Sequence, residues 1–194
     1  MARLFLLSAL MIFAITQYSV ACTMYKVTQD GKTIVGNNED WLSPNTQIWF
    51  RNKGESTYAV MYIGFMDMAQ GAINEAGLVL DGFATSWLPV KNGKGKTKID
   101  LDHVIETVMH TMSTVEEVKA YYEQFDLSAM ASNQLVYIDR SGTYLIIEGD
   151  EMIIGEESEK TFSNFYYSQT KSIQDIQLPY YQKGLQYLET TEVK

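Results

Sequence analysis

The chain contains a single cysteine, and its position makes it a candidate for chemistry. Met1-Ala2-Arg3 forms a short positive end and Leu4 to Ile15 is an almost unbroken apolar run. Ser19-Val20-Ala21 then places small residues at the −3 and −1 positions of a signal-peptidase site. An apolar run of about 12 residues is too short for a stable membrane span. Residues 1–21 therefore read as a cleaved signal peptide that sends the protein to a periplasmic or extracellular location, with Cys22 as the new first residue. Two chemistries suit a cysteine there. One is lipidation, which would make the chain an envelope binding protein without enzymatic activity. That route usually has an aliphatic residue at −3, where this chain has Ser19. The other is nucleophilic attack, with the freed α-amino group as the base. A thiol with a pKa near 8.5 is only a few per cent ionised at neutral pH. An α-amine with a pKa near 7.7–8 is a matched acceptor within reach of its own Sγ. Nucleophile and base then come from one residue, and no catalytic histidine is needed.

The rest of the composition removes rival chemistries. One Cys and two His exclude an internal disulfide, a thiolate metal cluster and a multi-His centre, so neither a metal nor another cofactor is expected. His103 and His110 fall on roughly one face of a predicted helix and read as partly solvated surface residues. Gly95-Lys96-Thr97 lacks the first glycine of a phosphate-binding loop, because Val90 stands there. With 15 basic against 24 acidic residues and a net charge of −9, the chain is a poor partner for nucleic acid. A content of 13 Tyr, 8 Phe and 3 Trp is too apolar for a disordered chain. The 194 residues suit one domain with a substantial core.

The elements that must position Cys22 are mostly strands. Cys22 to Val27 alternates, Gln29-Asp30-Gly31-Lys32 is a tight turn, and Thr33-Ile34-Val35 returns, a hairpin that begins at the candidate nucleophile. Further strands are predicted over residues 47–51, 58–64, 68–73 and 78–83, the last two joined by the turn Asn74-Glu75-Ala76-Gly77. Helical spacing follows over 101–112. A second helix opens on Thr114 and Glu117, the pattern of a capping box. Strands resume over 134–139, 143–148, 152–154 and 161–167, and Pro179 starts a last helix over 180–188. Strands, a helical pair and strands again predict a layered α+β sandwich. Three helices are too few to cover two sheets. Tyr180, Tyr181, Leu185 and Leu188 are therefore expected to form an apolar helix face with nothing beyond it.

Motifs along the chain resemble one family. Cys22-Thr23, Asp30-Gly31-Lys32 and Gly36-Asn37-Asn38-Glu39-Asp40-Trp41 resemble the opening of the choloylglycine hydrolases and penicillin V acylases. That family also contains acyltransferase-like linear amide C–N hydrolases. Gln70 to Leu78, Tyr137 to Gly142 with Ile147-Glu148, and Ser163-Asn164-Phe165 fit in order. The resemblance implies an N-terminal-nucleophile (Ntn) hydrolase of αββα architecture over residues 22–194, partial at its C-terminus. It implies an exported cysteine amidohydrolase that takes a small N-acyl amide, with acyl transfer as the alternative. Cys22 would be the nucleophile. Asp40 would orient the α-amine, and Asn164 would donate to the oxyanion. Two positions that contact substrate in the family depart from its pattern. Asn37 stands where the family usually has Arg, and Ala84 stands near a second oxyanion Asn or Tyr; both point away from bile salts. Family members are also longer and supply a further catalytic Arg from a C-terminal portion.

Overall fold

The structure is a computed structural model that describes residues 22–40, 44–66 and 68–190. The signal-peptide reading of residues 1–21, and Trp41 of the opening motif, lie outside the described residues. Strand β1 (Thr23–Gln29) begins immediately after Cys22 and turns into β2 (Lys32–Asn38). Asp30 and Gly31 have φ of 52° and 73°, the paired positive values of a type I′ turn, whose twist matches the flanking strands. The turn sets the register, with Gln29 opposite Lys32 and Thr23 opposite Asn38. The other edge of β1 pairs antiparallel with β12 (Glu159–Ser163), Thr23 opposite Ser163. The strand that follows Cys22 is therefore the centre of a three-stranded sheet, β12-β1-β2.

A larger antiparallel sheet faces it. It contains β3 (Gln47–Arg51), β4 (Val60–Phe65), β5 (Met68–Asn74), β6 (Val79–Ala84), β9 (Asn133–Ile138), β10 (Tyr144–Glu148) and β11 (Glu151–Gly155). Their order is β11-β10-β9-β6-β5-β4-β3, while β7 (Thr97–Lys98) and β8 (Phe125–Asp126) form a small parallel pair. The predicted strands fall where alternation placed them, within a residue or two, except β2, which runs three residues further to Asn38, and the last. That strand ends at Ser163, because the Phe165 N–H turns back to the Ser163 carbonyl at 2.8 Å and Tyr167–Gln169 forms a 3-10 turn. Asn164 consequently sits at a strand end.

Helix α1 (Leu101–Thr111) packs on β5, and α2 (Val115–Tyr122) packs on β10. The capping box predicted for α2 is present, with Thr114 accepting from the Glu117 N–H and Glu117 from the Thr114 N–H. Asn74 ties the β5–β6 turn to the end of α1. Its amide donates to the Met109 and Met112 carbonyls at 2.9 and 2.8 Å, and its Oδ1 accepts from the Leu78 N–H at 2.9 Å. Helix α3 (Pro179–Thr190) crosses β12 and β1 on the outer face of the small sheet. This corrects the expectation of an unpartnered helix face. Tyr181 is buried edge-on against Phe165 at 5.0 Å, and Leu185 and Leu188 are half-buried; of the four, Tyr180 is exposed. A Cβ on Gly184 would stand 3.0 Å from Thr161 Cγ2, so the helix rides close to the sheet.

The layers run α3, small sheet, large sheet, α1 and α2: an αββα sandwich. The outer core, between the large sheet and α1 and α2, includes Tyr62, Leu80, Tyr137, Leu145, Val108 and Tyr122. The inner core, between the sheets, includes Met24, Phe83, Val136, Ile138, Ile146 and Phe162. Each such side chain contributes roughly 1.5–3 kcal/mol by leaving water. Three strands cannot cover seven. The inner face of β4, β5 and β6 stays open beside β2 as a cleft of about 740 Å³.

Candidate active site

Alternation along the β1–β2 hairpin builds the site. The pairing that puts Thr23 opposite Asn38 continues one step to put Cys22 opposite Glu39, and opposed residues point to the same face. Cys22 Sγ donates to Glu39 Oε2 at 3.1 Å, and the Asn37 amide donates to Glu39 Oε1 at 2.7 Å. On the other edge, the pairing of Thr23 with Ser163 continues to put Asn164 opposite Cys22. Ser163 Oγ donates to the Cys22 carbonyl at 2.6 Å and fixes the start of β1. Asn164 Nδ2 donates to the Ala84 carbonyl at 2.7 Å, while its buried Oδ1 has no partner among the described residues. One amide hydrogen of Asn164 is thus held by the end of β6 and the second is left to donate.

The structure brings all five predicted positions together at the head of β1. Asp40 meets the thiol through its backbone, its N–H lying 3.5 Å from Sγ. Asn37 reaches the thiol through Glu39, and Ala84 holds the Asn164 amide through its carbonyl. Two further groups belong to the same place. Glu39 lies inside the opening motif and is the side chain that touches the thiol. Asp81 projects from β6, is 1% exposed, and lines the cleft with Asn37 and Glu39.

Electrostatics at this point is one-sided. Burial pushes the Cys22 thiol up to about 12; the hydrogen bond and charge of Glu39 add to the rise, and the Asp40 N–H opposes it. Burial, followed by the charge of Glu39, holds Asp81 well above the usual carboxylate range. A buried thiol beside carboxylates is a poor nucleophile until a cation joins it.

A separate network shapes the turn that carries Asn164. Buried Glu148, at the end of β10, accepts from the Tyr167 N–H at 2.9 Å, from the Ser168 N–H, and from Gln134 Nε2 at 2.6 Å. Gln134 also donates to the Phe165 carbonyl at 2.9 Å. Residues 165–168 are thereby clamped from inside the sandwich.

Two facing antiparallel sheets between helical layers form the αββα sandwich of the Ntn-hydrolase fold, and Cys22 heads the central strand of the smaller sheet. Solved structures bear this out. A variant of the conjugated bile acid hydrolase from Clostridium perfringens matches at 21% identity and a TM-score of 0.57, over 79% of this chain and 55% of that one. A second variant of that enzyme matches at 20% identity and a TM-score of 0.55, over 79% and 54%. The penicillin V acylase from Agrobacterium tumefaciens matches at 16% identity and a TM-score of 0.57, over 76% and 54%. The chain thus spans about half the length of these relatives. No family model matches the sequence, and no curated protein does. Among the described residues no helix is long and apolar enough to cross a membrane.

Proposed function

We propose that this chain is an exported cysteine amidohydrolase that cleaves the linear C–N bond of small N-acyl compounds after loss of residues 1–21. The observation that carries the reading is the position of Cys22. It heads the central strand of the small sheet, facing inward, with Glu39 on one side and Asn164 on the other. The fold shared with a bile acid hydrolase and a penicillin V acylase supports the same reading. A thiol held at about 12 would be ionised in roughly one molecule in 10⁵ at pH 7. The freed α-amine supplies what is missing, a proton acceptor beside Sγ and then a positive charge that favours the thiolate.

The steps follow from that pairing. The α-amine takes the thiol proton, and Sγ attacks the amide carbonyl carbon. The free hydrogen of Asn164 Nδ2 donates to the developing oxyanion, a role worth about 3–4 kcal/mol in comparable sites. The α-ammonium returns the proton to the leaving nitrogen as the C–N bond breaks, which leaves a thioester on Cys22. Water, deprotonated by the same amine, releases the acid. Asp40 orients the amine. Met61, Ile63, Ile73 and Val79 of the cleft offer an apolar bed for the acyl group. Asn37 carries no charge and Ala84 no side-chain donor, which disfavours anionic conjugated bile salts. A lipid thioether on Cys22 would require the sulfur to leave its buried contact with Glu39.

The test is a side-by-side turnover assay of simple N-acyl amides, penicillin V, N-acyl homoserine lactones and glycine- or taurine-conjugated bile salts. Hydrolysis is expected for at least one non-bile substrate. It should be lost in Cys22→Ala and in a chain that retains Ala21, whose α-nitrogen is an amide. Turnover that survives retention of Ala21 would show another group to be the base.

A further inference from the structure

Asp81 is a buried acid with an unmet need. Its Oδ1 accepts from the Gly82 N–H at 3.0 Å, and its Oδ2 has no hydrogen-bond partner among the described residues. Glu39 and Asn37 lie against it. A bare carboxylate oxygen facing another carboxylate is costly, and a proton on Oδ2 that points at Glu39 removes part of the cost. The cation that would remove the rest is absent among the described residues. Ion pairs among the described residues join Lys53 to Glu75, Lys119 to Glu123 and Lys160 to Glu157, and none includes Glu39 or Asp81. The other charged groups lining the cleft, Lys32, Glu75, Asp139 and Arg140, lie toward the β1–β2 turn, at the opposite end of β2 from Glu39.

One cation can be formed on the spot. The α-nitrogen of Cys22 is three bonds from Sγ, roughly 3–4 Å away by covalent geometry. Sγ is itself 3.1 Å from Glu39. While the nitrogen is part of the Ala21–Cys22 peptide it carries no charge. Hydrolysis of that bond by water gives the Ala21 carboxylate and a Cys22 α-amine, which becomes an ammonium when it takes the thiol proton. We propose that Glu39 and Asp81 are a positioning pair that anchors the Cys22 thiol before cleavage and afterwards receives the Cys22 α-ammonium as its counter-ion. This rests on the reading of Cys22 as the mature N-terminus, and it adds Glu39 and Asp81 to the groups that make the nucleophile. Cleavage then changes the thiol from a proton donor held by an acid pair into a partner of a compensated ammonium.

The experiment follows the thiol rather than turnover, so the two readings fail separately. The full chain carries a protease site in place of residues 16–21, cut so that Cys22 becomes the first residue. Alkylation by iodoacetamide is timed across the pH range before and after the cut. After cutting, the rate at pH 7 is expected to rise by about tenfold or more, and its midpoint to fall by at least about one pH unit. In Glu39→Gln and Asp81→Asn most of that gain should vanish, while Glu39→Asp keeps part of it. A second measurement needs no variant. With 13C-labelled aspartate carboxyls in the wild-type chain, the aspartate with the highest titration midpoint should move down on cleavage. Equal thiol reactivity before and after the cut, or an equal gain in the variants, would overturn the proposal. So would an unmoved aspartate. A chain that shows the gain but hydrolyses no amide would keep this proposal and sink the hydrolase reading.

Discussion

The two faces of the large sheet are built from alternate residues of the same strands, yet they are chemically unlike. On the outer face, Leu135, Tyr137, Leu145 and Ile147 meet α1 and α2 in an apolar layer. Within the layer the Tyr122 and Tyr137 hydroxyls, 2.8 Å apart, satisfy each other, and the buried Tyr62 hydroxyl is the group without a hydrogen-bond partner among the described residues. On the inner face, the neighbours one residue away include Gln134 and Glu148, and Asp81 stands on β6. Lys26 of β1 is also buried, reaching Thr28 Oγ1 at 3.3 Å. Some of these inner groups are incompletely satisfied, among them Asp81 Oδ2 and Gln134 Oε1. Such groups weaken a fold, and proteins keep them where a site needs them. The outer face supplies stability, and the inner face spends part of it on positioning the site.

The largest expected effect breaks the outer face. Leu145→Ala removes a fully buried side chain and should cost about 2–5 kcal/mol in denaturant unfolding. Turnover per folded molecule should stay near wild type; a large fall in turnover would mean that the faces are not separable. Next is Glu148→Ala, which strips the acceptor from the Tyr167 and Ser168 N–H groups and from Gln134. A loss of roughly 2–3 kcal/mol is expected. Here kcat should fall by more than KM rises, since the turn that carries Asn164 is released. Stability loss without that kcat effect would reduce Glu148 to a structural group.

The smaller effects sharpen the contrast. Tyr122→Phe should cost about 1–2 kcal/mol by leaving the Tyr137 hydroxyl unpaired. The double change with Tyr137→Phe should recover most of it, because two apolar rings need no partner. Last, Asp81→Asn should stabilise the uncleaved chain at neutral pH, on the order of 1 kcal/mol. The sign follows from the raised value of Asp81: the folded chain holds a proton that the unfolded chain releases near pH 4. The stability contributed by this group is full below the unfolded value and is lost as pH rises through the folded one. The wild type should therefore show a decline over that window that the variant lacks, as read by thermal unfolding at a series of pH values.

Much of the positioning was legible in one dimension. The Asp30-Gly31 turn and period-two alternation place Cys22 on the first strand of a hairpin. The same register, carried one residue past Asn38, sets Glu39 across from the thiol, although the motif points to Asp40. The Thr114 and Glu117 capping box is equally local. The motif marks Asn164, but alternation extends the strand to Tyr167, past the turn at Ser163. What ends that strand is Glu148, which holds the following N–H groups from a different sheet.

Contiguous residues determined the hairpin, its register and the helix caps, because turn chemistry and side-chain alternation act over a few residues. Stacking of the sheets decided the rest. Asp81 reads in sequence as an ordinary strand residue, and it becomes a buried acid beside Glu39 only because β6 lies beneath β2. The apolar face of α3 looked unpartnered until β12 and β1 came together beneath it to bury Tyr181. The cleft exists because three strands lie over seven. These contacts join residues far apart in the chain, and burial, which sets both the Cys22 thiol and the Asp81 carboxyl, is a property of the packed layers.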